Sequence, residues 1–185
     1  MKKRIATVSL AGCFGCHMSL LDIDERLLDL LKLVEFDRSP FNDLKRFTGR
    51  CDIGLVEGGC CNEENVHTLH EFRANCTILV AVGQCAVMGG LPVMRNAIMH
   101  AEDPLRECLE TAYLDSDYVL NPTNSIPNDP ALPLLLDKVY TLADVVKVDY
   151  QIPGCPPSSE TLWQTLDSLI TGHRQRLPYE LIKYD

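Results

Sequence analysis

Strand-length apolar runs alternate with helical patterns along this 185-residue chain, and no other feature restricts the fold as much. Residues 4–10 (RIATVSL), 34–39, 52–56 (DIGLV), 76–82 (CTILVAV) and 145–152 read as extended. The first is a β-rich run without an internal turn signal, and the fourth overlaps the longest apolar run of the chain, as expected of buried strands. Residues 19–33 carry apolar side chains at helical spacing, and Asn62-Glu63-Glu64-Asn65 has the chemistry of a helix start, predicting a helix over 63–74. Gly89-Gly90-Leu91-Pro92 opens a short helix, and residues 104–111 form another. Ser158 or Ser159 caps a last helix over about 158–171, stopped by Gly172. Four prolines between Asn121 and Pro133 mark the segment at about 113–143 as irregular. Strands alternating with helices predict an α/β fold with a mostly parallel sheet. At this length the whole chain, 1–185, reads as a single domain.

Composition removes several functions. Hydrophobic residues make up 46% and charged residues 23%, which excludes a disordered chain and a coiled coil. The net charge is −9, so no broad nucleic-acid footprint is expected. No apolar run approaches the roughly 18 residues that span a bilayer, so no direct membrane insertion is expected. Lys2-Lys3-Arg4 and the Leu10-Ala11-Gly12-Cys13 box imitate a lipoprotein signal. The apolar part between them, residues 5–10, is shorter than the roughly 7–15 residues of a signal core. The expectation is a mature cytoplasmic chain that begins with a buried strand.

Nine cysteines are unusual for such a chain, and an odd number cannot all pair within it. Cys13, Cys16, Glu57, Cys85 and Cys155 each fall just after a predicted strand. A parallel α/β sheet brings such positions to one edge, where its ligands gather. A soft-metal site needs thiolates on backbone that bends closely, and Cys13-Phe14-Gly15-Cys16, Gly83-Gln84-Cys85 and Gly154-Cys155-Pro156-Pro157 supply that bend. Four thiolates suit structural zinc or a cubane iron–sulfur cluster. Zinc sites usually have two close pairs. Here there is one pair and two distant singletons, which favours the cluster. A redox dithiol at Cys13 and Cys16, following a strand and preceding a helix, stays open on spacing alone.

These residues carry a resemblance. Cys13-Phe-Gly-Cys16 with His17-Met18-Ser19-Leu20, then Val56-Glu57-Gly58, Gly83-Gln84-Cys85-Ala86 and Pro153-Gly154-Cys155-Pro156-Pro157, resemble the small subunit of nickel–iron hydrogenases in order and spacing. Residues 22–28 (DIDERLL), Met94-Arg95-Asn96 and the tail Ile182-Lys183-Tyr184-Asp185 resemble its short, soluble, bidirectional NAD(P)-linked subtype. The resemblance implies a flavodoxin-like domain with helices on both sheet faces and one 4Fe-4S cluster at the C-terminal edge of the strands. It implies Cys13, Cys16, Cys85 and Cys155 as the iron ligands and Glu57 as a proton relay or interface residue. The nickel–iron centre, where dihydrogen is oxidised or protons are reduced, would lie on a partner large subunit. This chain would pass single electrons between that centre and a diaphorase module carrying flavin and iron–sulfur clusters, which exchanges hydride with NAD or NADP. The chain would thus serve an oxidoreductase, a hydrogen dehydrogenase, without itself activating dihydrogen. Periplasmic relatives continue into a cysteine-rich region with two further clusters. This sequence ends at Asp185, so electrons are expected to leave its cluster directly into another protein.

Other readings are kept beside this one. A complex I-like or membrane-bound hydrogenase-related subunit is the alternative of the same class. The related chain of complex I, which this sequence also resembles in its GxC and GCPP elements, takes two ligands from adjacent cysteines. Cys60-Cys61 is adjacent but follows Glu57-Gly58-Gly59 rather than the first strand, so both are expected to be non-ligands. A thiol oxidoreductase or a structural-zinc protein would use the same cysteines with a different cofactor. An FMN is not expected on this chain, because AGCFGC offers a phosphate no hydroxyl after Ser9. Cys51, Cys76 and Cys108 read as small core residues. His67 and His70 read as exposed helix residues, His17 as a hydrogen-bonding neighbour of the cluster, and Asp22, Asp24, Glu25 and Arg26 as surface or subunit-contact charges.

Overall fold

The computed structural model describes residues 2–98, 102–173 and 177–182. Strand β1 (Lys3–Ser9) is followed by helices α1 (Gly15–Leu21) and α2 (Arg26–Leu33), then β2 (Val34–Phe36) and β3 (Cys51–Glu57). A short strand β4 (Cys60–Asn62) leads into α3 (Glu63–Asn75), β5 (Cys76–Val82) and α4 (Gln84–Met88). After a 3-10 helix at Pro92–Ile98 come α5 (Pro104–Tyr113), β6 (Leu135–Tyr140), α6 (Leu142–Val145), β7 (Tyr150–Ile152) and α7 (Ser159–Thr171).

Five strands form one parallel sheet in the order β2-β1-β3-β5-β7. Counted within that sheet alone, this is the 2-1-3-4-5 order of flavodoxin-like folds, with the direction of winding reversing between β1 and β3. Side chains leave the central strands alternately toward two apolar layers. Val80 and Val82 join Ile5, Leu20, Leu30 and Leu162 on the face covered by α1, α2 and α7. Leu79 and Ala81 join Val56, Leu69, Phe72 and Leu142 on the face covered by α3, α4 and α6. Burial on both faces explains why residues 53–56 of β3 and 78–82 of β5 are apolar without alternation.

Several helix boundaries follow from capping chemistry. Asn62 accepts from the Asn65 N–H at the start of α3, Asp103 from the Arg106 N–H at α5, and Ser158 from the Thr161 N–H at α7. Gly172 ends α7 in the left-handed conformation.

Three expectations are corrected. The helix expected over 19–33 is two helices, broken at Asp22–Glu25 with Asp24 left-handed (φ 53°). Short aspartates compete for backbone hydrogen bonds, and the break lets Ile23 turn into the first layer, whereas apolar spacing alone sees no interruption. Strand β6 lies inside the segment expected to be irregular. It pairs antiparallel with β4, and the Asn96 side chain pins both the N–H and the carbonyl of Val139. The extended reading of 145–152 shrinks to β7, because a Thr141–Asp144 capping box starts α6 just upstream. Lys183, Tyr184 and Asp185 of the tail motif lie outside the described residues.

Candidate metal centre

Each of the four cysteines stands shortly beyond the C-terminal end of a parallel strand. Cys13 follows β1, and Phe14 then takes a left-handed conformation (φ 67°) that starts α1, placing Cys16 in its first turn. Cys85 lies in the first turn of α4, directly after β5 and Gly83. Cys155 follows β7 and Gly154, with a cis peptide bond to Pro156. Cys13 and Cys155 are exposed, Cys16 and Cys85 half-buried.

Hydrogen bonds fasten these loops to one another. Leu10 N–H donates to Glu57 O at 2.9 Å, and Ala11 and Gly59 exchange N–H bonds of 3.0 and 2.9 Å, so the Cys13 loop is clamped to the end of β3. Gly83 N–H donates to Ile152 O and Gln84 N–H to Gly154 O, at 2.7 and 2.9 Å, tying the Cys85 turn to the Cys155 loop. Ser19 Oγ on α1 donates to Pro157 O at 2.5 Å, joining the Cys16 helix to the same loop. Sequence neighbours contribute little; the sheet order and these clamps bring the four thiols together.

Two glycines leave room for the sulfurs. A Cβ at Gly83, which has φ 84°, would collide with Cys16 Sγ. One at Gly90 would stand 2.7 Å from Cys85 Sγ. Electrostatics place the thiols in one neighbourhood. Burial pushes the Cys16 thiol far up, and the charges of Glu57, Cys85, Cys13 and Cys155 push it further. Burial likewise raises Cys85, opposed by a hydrogen bond from the Leu91 backbone and helped by Cys155, Cys13 and Glu57. Four thiolates here would repel unless a cationic group neutralised them, which is the demand a thiolate-bound metal group meets. Among the described residues, no three His, Cys, Asp or Glu side chains stand close enough to hold one metal ion. A four-iron cubane makes a wider demand, because each thiolate binds its own iron. The donor set and the glycine-lined cradle fit that group.

Behind Cys16 lies a buried polar pair. Glu57 ends β3 and is 2% exposed. Its Oε1 accepts from Ser9 Oγ at 2.8 Å, and its Oε2 accepts from the His17 N–H at 2.8 Å. The ring Nδ1 of His17 lies 2.8 Å from the same Oε2. Burial alone would raise the Glu57 carboxyl, but the bonds from His17 and Ser9 outweigh it and hold the group below the usual glutamate range. The His17 ring stacks on Phe14, with centroids 4.5 Å apart, so a residue between the two CxxC cysteines is also part of this support.

Comparison with known proteins decides the relationship. The family model described as NADH ubiquinone oxidoreductase, 20 Kd subunit, matches residues 13–169. The NAD-reducing hydrogenase HoxS subunit delta of Cupriavidus necator is 46% identical over all of this chain, which covers 86% of that protein. This chain belongs to the hydrogenase small-subunit branch of that family. A crystal structure of an NAD+-reducing [NiFe]-hydrogenase in the H2-reduced state contains a chain 49% identical, matched over 100% of both chains with a TM-score of 0.91. The vhu F420-non-reducing hydrogenase of Methanococcus voltae has a subunit 36% identical over 98% of this chain, which spans only 61% of that relative.

In this hydrogenase-type small subunit the remaining expected residues sort by burial. Cys60 is fully buried in the second layer, where burial pushes its thiol up to about 12. Cys61 hydrogen-bonds Asn65 from β4. Cys51 and Cys76 pair in register on β3 and β5, are buried, and are raised by burial to about 11 and about 12. Cys108 is only half-buried, on a helix that buries none of its residues, so the core reading does not hold for it. His67 and His70 are both exposed on α3, as expected. Arg26 pairs with Glu160 of α7 at 2.5 Å, on the surface. Sequence reasoning missed Ser19 and the rim of exposed apolar side chains beside the cysteines: Met18, Met88, Leu91 and Met94. Their signal was their position next to Cys16 and Cys85, where a helix face should carry polar groups.

Proposed function

We propose that this chain is the electron-transfer subunit of a nickel–iron hydrogenase linked to NAD or NADP. Cys13, Cys16, Cys85 and Cys155 would hold one 4Fe-4S cluster, which supplies a one-electron relay between two larger redox centres. The observation that carries the reading is that those four thiols share the C-terminal edge of the parallel sheet, on loops tied to one another. The residues of this chain then do three things. They fix the cluster through loops clamped to one another, they limit water on its inner side through α1 and the apolar first layer, and they leave its outer side open between Cys13 and Cys155.

That open side is rimmed by Met18, Met88, Leu91 and Met94, which are 52, 53, 76 and 67% exposed. An apolar rim of this kind suits burial by another protein. Its proposed occupant is the large subunit with the nickel–iron centre, where dihydrogen is activated. Electrons would pass onward to a diaphorase module with flavin and iron–sulfur clusters, in the cytoplasm. No helix among the described residues is long and apolar enough to cross a membrane.

The test is metal analysis of the chain co-expressed anaerobically with its large subunit. About four iron and four sulfide beyond the partner's own iron are expected, as a cubane requires. One zinc, or no metal with a reversible Cys13–Cys16 disulfide, would make the chain a structural-zinc or dithiol protein instead.

A further inference from the structure

We propose that the Glu57 carboxylate is a fixed negative charge that holds down the reduction potential of the group bound by Cys13, Cys16, Cys85 and Cys155. The inference rests on the cluster assignment above and goes beyond it, giving Glu57 a role other than proton relay or partner contact. Glu57 is 2% exposed, and both carboxylate oxygens are held inside the chain by Ser9 and His17.

The same bonds fix where the charge sits. Glu57 stands at the end of β3, directly behind the CxxC turn. Among the charges acting on Cys16 it is the strongest, ahead of the other three cysteines, and it also acts on Cys85. Glu57 Oε2 accepts from the backbone N–H of the residue next to Cys16, and in a buried setting the effective dielectric is nearer ~20 than the ~80 of water, so its charge is felt there. Reduction adds one electron to the metal group, with no bond made or broken at Glu57 and no proton moved. A neighbouring carboxylate opposes that added charge, so its removal makes reduction easier.

Glu57→Gln and Glu57→Asp separate charge from hydrogen bonding. Gln keeps an oxygen to accept the His17 N–H and loses the charge. Asp keeps the charge but is one methylene short. The experiment uses the module purified anaerobically with its large subunit. Iron and sulfide per chain are measured first, and then the midpoint potential of the four-iron electron paramagnetic resonance signal. The Gln variant is expected to keep its iron and to favour the reduced form about tenfold at a fixed potential, which is about 59 mV for a one-electron couple. The Asp variant is expected to stay close to wild type. A purely positional role gives the reverse ranking. An unshifted midpoint in Gln overturns the inference, as does loss of iron from Gln but not Asp, which would make the charge a condition of binding. A wild-type module without a four-iron signal would instead defeat the cluster assignment.

Discussion

Ser19 and Pro157 are 138 residues apart, yet the Ser19 hydroxyl donates a 2.5 Å hydrogen bond to the Pro157 carbonyl, and both residues are buried. That bond joins the helix carrying Cys16 to the loop carrying Cys155. Ser19→Ala leaves a buried carbonyl without its donor, at a cost of about 1–3 kcal/mol. A lower urea midpoint, together with faster loss of iron on dilution, is the expected result. A variant that loses stability but holds its iron as wild type does would show that the Cys155 loop is fixed by its other ties.

Gly83 and Gly172 both have positive φ, at 84° and 74°, but differ in surroundings. A Cβ at Gly83 meets Cys16 Sγ, whereas nothing lies within 4 Å of one at Gly172. Gly83→Ala should therefore abolish iron binding. Gly172→Ala should cost only left-handed strain, about 1–2 kcal/mol, with iron content unchanged. Equal iron in the two variants would mean that the Gly83 cradle does not shape the site.

Serine replacement sorts the cysteines. Cys13, Cys16, Cys85 or Cys155 to Ser should each remove the ferredoxin-like visible absorbance. Cys61→Ser should retain it, since Cys61 already bonds within β4 and α3. Cys60→Ser should retain it too while losing about 1–3 kcal/mol, because a hydroxyl would be buried in an apolar layer. Full iron in Cys85→Ser would remove Cys85 from the ligand set.

Acid should loosen the loop after β2. Burial raises the Asp37 carboxyl, but hydrogen bonds from Thr48 and Arg38 and the Arg4 guanidinium outweigh it, holding the group below the usual aspartate range. A carboxyl depressed in the folded state contributes stability above its unfolded value, about 3.9, and loses it as pH falls through the folded value. Asp37→Asn should cost about 1.5–3 kcal/mol at pH 7, with the gap to wild type closing below about pH 4. A gap that stays constant down to acid unfolding would show that the charge on Asp37 is irrelevant. Urea midpoints measured against pH decide it.

The residues also show what could be read in advance. Strand β5, helix α3 and helix α7 stood out in the sequence because each combines an apolar pattern with a local stop or cap, such as Asn62 or Gly172. Strand β6 did not, because its partner β4 is far away along the chain and the upstream prolines mask its pattern. The break at Asp24 was hidden for a similar reason: Ile23 keeps the helical spacing while the backbone leaves it.

What the sequence determined by itself was chemistry and order. It supplied four thiols, each just past a strand, with glycines and prolines to bend the chain around them. What only the tertiary structure decided was proximity and direction. The parallel order of β1, β3, β5 and β7 puts the cysteine loops at one edge of the sheet, and the bonds from Gly83, Gln84 and Ser19 lock them. The same packing turns Glu57 inward to His17. The physical reason is that local spacing encodes which face a side chain leaves from. Which distant backbone it then meets depends on burying two apolar layers at once.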